Sequence, residues 1–250
     1  MKRTIRIILM IIFAALTVRA TCAPAKGKIN KPQEVMTIDD HVYYHNMSIT
    51  YGDYYFFTAN GGNESWGLIN EYNTNGELVE SHDLELDGRA VFYNSEDDQL
   101  YLKVYGTDLY SVDPEDGYSD LKLEGIFEED NSSPGFDPWG RYIYEFVSGR
   151  VRVLDFDDGE EIRTFDVDEY YDEHGYNTTI AASENYLYIW AENDAIRVYD
   201  LQGEFVSLIK LPRAGYGFSL SYCHNYLWIA KDADGGEDGA DGRWYGYKLK

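Results

Sequence analysis

From residue 34 onward the chain consists of short runs in which apolar and polar positions alternate, separated by clusters of Asn, Asp and Gly. Such period-two alternation predicts half-buried β-strands, and the Asx-Gly clusters predict tight turns, because Asn, Asp and Gly tolerate the positive φ that those turns require. The turn Asn73-Thr-Asn-Gly76 recurs as Asp113-Pro-Glu-Asp-Gly117, Asp155-Phe-Asp-Asp-Gly159 and Asp200-Leu-Gln-Gly203, with the glycines 41, 42 and 44 residues apart. One strand is expected ahead of each turn (Leu68 to Tyr72, Leu109 to Val112, Val151 to Leu154, Ile196 to Tyr199). Another is expected after it (Leu78 to Leu86, Ser119 to Leu123, Glu161 to Val167, Phe205 to Leu211).

A second hairpin precedes each of these units. Its aromatic-rich strand appears five times, as Tyr54 to Phe57, Gln99 to Leu102, Tyr142 to Glu145, Tyr186 to Ile189 and Tyr226 to Ile229. Before each of these lies a strand of smaller residues: Ser48 to Tyr51, Ala90 to Asn94, Pro134 to Asp137, Thr178 to Ala182 and Phe218 to Cys223. Four strands per repeat of about 42 residues is the pattern of a β-propeller blade. The fifth copy ends after its third strand, Trp244 to Lys248, and the sequence Glu34-Val-Met-Thr-Ile-Asp39 matches Glu161-Ile-Arg-Thr-Phe-Asp166 closely enough to supply the fourth. The expected fold is therefore all-β: a five-bladed β-propeller of four-stranded antiparallel blades over residues 34–250, closed by an N-terminal strand that pairs with the last blade and so removes two open sheet edges. A sixth blade would need a further ~42 residues, and a β-sandwich is the competing architecture.

The units resemble the NHL and YWTD-like propeller repeats, in which the third strand runs into an Asp-x-x-Gly turn, as in Val198-Tyr-Asp-Leu-Gln-Gly203. The resemblance spans roughly residues 34–250 and implies architecture only. Such repeats occur in secreted enzymes, receptors and scaffolds alike, and no catalytic residue transfers with them.

Composition adds a direction to this picture. With 45 Asp and Glu against 21 Lys and Arg the net charge is -24, which excludes phosphate backbones and anionic membrane surfaces as partners and leaves cationic or neutral ones. Residues 1–23 carry Lys2, Arg3 and Arg6, then an apolar run from Ile7 to Val18, then small residues at Ala20 and Ala23, which is the three-part pattern of a secretory signal peptide. The apolar run is too short for a stable transmembrane anchor, and Arg19 and Thr21 fit a lipid-attachment motif at Cys22 poorly. A secreted, periplasmic or cell-surface location is expected. Removal of the signal takes away Lys2, Arg3, Arg6 and Arg19 and no acids, which deepens the charge from -24 to -28. Residues 24–33, rich in Lys, Pro and Gly, read as a linker. Cys22 and Cys223 form no disulfide framework, and Cys223 is expected as a free buried thiol.

In a propeller, the loops joining the second strand to the third and the fourth to the next blade share one mouth of the channel. Two such loops resemble each other, Tyr43-Tyr-His-Asn46 and Tyr170-Tyr-Asp-Glu-His-Gly-Tyr-Asn177. The candidate ligand-binding residues are Tyr43, His45, Trp66, Tyr170, His174, Tyr176 and Tyr216, whose flat faces and polar tips suit sugar rings or peptide segments. The same tyrosines also suit packing of blade on blade. In the loop Lys231 to Gly242, Asp232, Asp234, Asp238 and Asp241 are candidate calcium ligands, although the loop departs from the EF-hand pattern and equally fits a solvated hairpin tip. No other cofactor is implied. Sequons stand at Asn46, Asn63, Asn131 and Asn177, all in expected mouth loops. The function expected from these features is non-catalytic recognition of an extracellular glycan or protein. The competing readings are a glycan-active hydrolase using mouth carboxylates such as Glu128, Glu129, Asp130, Asp172 and Glu173, and a structural subunit of a surface assembly. No serine-hydrolase elbow, Walker loop or zincin motif occurs.

Overall fold

A computed structural model describes residues 32–40, 44–62, 66–167, 178–232 and 242–249. These residues form twenty strands in five four-stranded sheets, each antiparallel and arranged in a ring. Blade 1 comprises β2 (His45–Gly52), β3 (Tyr55–Gly61), β4 (Gly67–Tyr72) and β5 (Leu78–Leu84). Blade 2 comprises β6 (Gly88–Asn94), β7 (Gln99–Val104), β8 (Leu109–Asp113) and β9 (Tyr118–Leu123). Blade 3 comprises β10 (Gly135–Phe136), β11 (Tyr142–Val147), β12 (Arg150–Asp155) and β13 (Glu161–Asp166). Blade 4 comprises β14 (Ile180–Ala182), β15 (Tyr186–Ala191), β16 (Ala195–Asp200) and β17 (Phe205–Lys210). Blade 5 comprises β18 (Ser221–Cys223), β19 (Tyr226–Lys231) and β20 (Arg243–Lys248), with β1 (Gln33–Asp39) as its outermost strand.

The closure expected from the sequence is therefore present. β1 pairs with β20 from Gln33 opposite Lys248 to Asp39 opposite Arg243, and Ile38 is buried with Trp228, Trp244, Phe56 and Tyr72 at the seam between blades 5 and 1. The recurrent turns are built as their composition dictates. Asn73, Asp113, Asp155 and Asp200 each accept backbone N–H bonds on a side-chain oxygen, and Gly76, Gly117, Gly159 and Gly203 take positive φ.

The core is distributed. Five apolar clusters each join two neighbouring blades, because both faces of a blade are covered by its neighbours while its outermost strand meets water. Val35, Leu78, Val79, Tyr118, Leu121, Ile162, Phe205 and Leu208 are exposed on these outer strands, spread over all five blades.

The innermost strands β10, β14 and β18 are shorter than their apolar patterns suggest. Near the axis other donors and acceptors replace the ladder: Ser219 Oγ accepts from Ala230 N at 2.8 Å, in place of a strand carbonyl. Small residues here let the strands converge; a Cβ on Gly135 would lie 2.9 Å from Ala182 N and Ile180 O. Side chains also stitch blade to blade, with Val91 N donating to Ser48 Oγ, Tyr93 N to Thr50 Oγ1 and Ile49 N to Ser221 Oγ.

The turns within the first and last strand pairs of each blade lie on one face, here called lower. The remaining connections lie on the upper face. Among the described residues no helix is long and apolar enough to cross a membrane. The segments read as signal peptide (1–23) and most of the linker (24–33) lie outside the described residues.

Candidate functional site

The upper face brings together three of the residues singled out from the sequence. His45 opens β2, and its Nδ1 lies 2.6 Å from Asp232 Oδ2, just past the end of β19 and 187 residues away in sequence. An ionised carboxylate only accepts, so this bond fixes the proton on Nδ1 and turns Nε2 away from Asp232. The other oxygen, Oδ1, accepts from Asn46 N at 3.1 Å. The ring of Tyr216 stacks on His45 with centroids 5.1 Å apart and planes 16° from parallel. Tyr216 is itself held, since its N–H donates to Ala230 O and its carbonyl accepts from Ser219 N. Gly62 backs onto the imidazole; a Cβ there would lie 2.7 Å from His45 Cδ2, and its φ of +90° also favours glycine. Trp66, 50% exposed, stands at the end of the connection that Gly62 begins.

Asp232 was expected as a cation ligand and His45 and Tyr216 as ligand contacts, and the structure makes them one cluster. Tyr43, Tyr170, His174, Tyr176, Asp234, Asp238 and Asp241 lie outside the described residues. Among the described residues no group of three or more His, Cys, Asp and Glu is arranged to hold a metal ion. Asn46 was expected in a mouth loop; it lies in β2, fully buried, with its amide committed to Asp40, so this sequon is closed to modification. Cys223 is a free thiol that lines the channel, its pKa raised by burial.

Beneath this cluster the channel is blocked, which no local pattern of residues marks. Ser133, 2% exposed, bridges to Thr179 as an isolated strand contact and donates Oγ to the carbonyls of Arg89 at 3.3 Å and Phe218 at 3.1 Å. Its N–H donates to Thr178 O, and its carbonyl accepts from Ile180 N. One small residue thus ties segments of blades 2, 4 and 5 across the axis. Behind it, Glu145 is fully buried and accepts from Glu128 N, Glu129 N, Ser132 Oγ and Arg152 Nη1, which pins the segment carrying Ser133. Among the acids considered for hydrolysis, Glu128 is paired with Arg150 and Glu129 accepts from Asn131 N. Glu71, raised above the usual carboxylate range by desolvation, stands on β4 away from the upper mouth.

Lys103 is also fully buried here, donating to the carbonyls of Glu129 and Asp130 and lying over the Phe127 ring. Burial, then the charge of Arg89, lowers its amine from 10.5 to about 7, against the opposing pull of Glu145, Asp130 and Glu129. The unfolded chain therefore binds the extra proton between those two values, so stability rises with pH in that window and falls as pH drops through about 7. Urea unfolding is expected to show a gain of about 2 kcal/mol between pH 7 and 9 that Lys103→Met abolishes. A wild-type profile flat over this range would refute the assignment.

The fold and this rim define the class: a five-bladed β-propeller with a plugged channel and an aromatic and acidic upper mouth. No family model and no curated protein sequence matches the chain. Among solved structures it is similar to the glutaminyl cyclase of Myxococcus xanthus, at 10% identity and a TM-score of 0.59, over 88% of this chain and 96% of that one. It is also similar to the computationally designed Ika4 protein (14% identity, TM-score 0.39, 67% of this chain and 98% of that one). A third is BamB from Moraxella catarrhalis (15%, 0.40, 82% and 58%). At these identities the likeness concerns the fold alone.

Proposed function

We propose that the protein is a non-catalytic recognition module that holds an extracellular carbohydrate or an extended peptide at the upper mouth. The observation that carries this reading is the His45–Tyr216 stack clamped by Asp232. It offers flat apolar faces beside a carboxylate, already fixed by hydrogen bonds, so little ordering entropy is lost on binding. Trp66 adds an exposed aromatic face to the same rim. The signal-peptide pattern of residues 1–23 supports a secreted, periplasmic or cell-surface location. The sequence from Lys231 to Gly242 is rich in the hard oxygen donors that calcium prefers, which supports calcium as a cofactor of this mouth.

The test is a glycan and peptide array, run with calcium and again with chelator on the chain lacking residues 1–23. Any ligand found is then titrated against His45→Ala and Trp66→Ala. Each substitution is expected to weaken binding about tenfold, or ~1.4 kcal/mol, without a matching loss of thermal stability. Full binding by both variants would remove the upper mouth as the site. Turnover of a generic aryl glycoside would replace recognition with hydrolysis.

A further inference from the structure

Below Ser133 the channel widens into a cavity of about 190 Å³ that reaches the lower rim. This is smaller than the ~300–1,000 Å³ typical of sites for drug-sized ligands, so it suits a single chemical group. Its rim is aromatic. Tyr51 packs on His224 with centroids 4.0 Å apart, and Tyr222 stacks on Tyr188 at 5.6 Å and 8°. Tyr93 lies on the bare backbone of Gly52, where a Cβ would fall 2.0 Å from its ring, and its hydroxyl donates to Asp98. Three phenol rings are thereby fixed before any ligand arrives.

The charge around the cavity has one sign. No lysine or arginine is among the described residues that line it, and Glu184, exposed at its edge, is the carboxylate among them. Burial lowers the pKa of His224, which favours its neutral form. Burial raises the phenols of Tyr51 and Tyr222, the latter helped by Glu184, and pushes Tyr93 up to about 12, so all three rings stay uncharged at neutral pH. Glu184 stands between the cavity and a neighbouring groove lined by Arg141 and Arg163, where Asp137 and the Leu201 carbonyl hold the two arginines. In the lower-rim turns Asp53, Tyr54, Asp98, His224 and Asn225 take positive φ, and Asp53-Tyr54 and His224-Asn225 are two-residue hairpin turns, which require it. Tyr54 is 77% exposed.

We infer that the lower end of the channel binds an organic ammonium group, which enters among Tyr51, Tyr93 and Tyr222 with Glu184 as its counter-charge. Phenol faces attract cations through their ring quadrupoles, most strongly where water is excluded, and the net charge of -24 draws cations to the molecule. The ammonium could belong to a small free amine or to a lysine side chain, since both present the same chemistry. This site is on the face opposite His45 and does not depend on the upper mouth.

The experiment is calorimetric titration of the protein with choline, with its uncharged isostere 3,3-dimethylbutan-1-ol, and with Nα-acetyl-lysine methylamide. At least one of the two ammonium compounds is expected to bind at least tenfold more tightly than the isostere. Preference for choline would assign a free small amine, and preference for the lysine amide a peptide-borne one. Glu184→Gln, at an exposed position, is expected to weaken binding about threefold, and Tyr93→Leu more strongly, while His45→Ala leaves it unchanged. Binding of neither ammonium compound more tightly than the isostere would overturn the proposal. So would no binding of either amine at tens of millimolar, or full affinity in both Glu184→Gln and Tyr93→Leu.

Discussion

Asp40→Ala is expected to destabilise the ring by about 3–5 kcal/mol and to lower the thermal midpoint by roughly 10 °C. Asp40 follows the closing strand β1 and is fully buried. Its Oδ2 accepts from Asn46 Nδ2 at 2.8 Å, Asn60 Nδ2 at 3.1 Å and Trp244 Nε1 at 2.8 Å. Its Oδ1 accepts from Asn70 Nδ2 at 2.8 Å and Tyr72 OH at 2.6 Å. These donors come from β2, β3, β4 and β20, so one carboxylate joins the first blade to the last. The donors are all neutral, and in a low-dielectric seam each bond to an ionised oxygen is stronger than its neutral counterpart. Burial and the adjacent negative charge both raise the Tyr72 phenol, which keeps it a donor. Alanine would leave these polar groups buried without their acceptor. Asp40→Asn keeps the shape but presents an amide where an acceptor is needed, and a loss of about half that size is expected. Urea and thermal unfolding measure both losses, and limited proteolysis tests whether β1 detaches first. Midpoints within a degree of wild type would mean that closure rests on the β1–β20 ladder and the apolar seam alone.

Glu145→Ala is expected to cost about 3–4 kcal/mol and to loosen the plug across the channel. Removing this carboxylate leaves Glu128 N, Glu129 N and Ser132 Oγ without their acceptor, although Arg152 keeps Glu161 at 2.8 Å. The same segment supplies the carbonyls that seat Lys103 and carries Ser133 to the axis. Hydrogen exchange should therefore accelerate at the amides of Ser133 and Ile180 well before global unfolding. Unchanged protection at these two amides would show that the plug is held by Ser133 itself.

Much of the architecture was legible because its determinants are local. Alternation fixes which face of a strand is buried, and an Asx residue three or four places before a positive-φ glycine fixes where the strand turns. The match of residues 34–39 to 161–166 was enough to find the closing strand. Of the candidate site residues, His45, Trp66, Tyr216 and Asp232 are on the described upper rim, and three of them touch. Their residue types revealed their exposure and chemistry, but not that Asp232 would face an imidazole.

The residues missed are those whose roles exist only across blades. Asp40 is one acid among 45, and nothing beside it in sequence marks it. A signal was present nonetheless, because Asn60 and Asn70 occupy buried positions in strands β3 and β4, where burial of an amide demands a partner. Glu145, in the middle of an aromatic strand, is a similar sign. Ser133 carried none.

By itself, then, the order of residues determined the strands, their turns, the number of blades and the acidity of the surface, since these depend on neighbours a few places away or on simple counting. Only the closed ring decided which polar groups share a seam, which end of the channel is blocked and which stays open, and which rings frame the opening. Those outcomes arise from side chains tens to hundreds of residues apart meeting in a low-dielectric interior, where satisfying each donor and acceptor admits few arrangements.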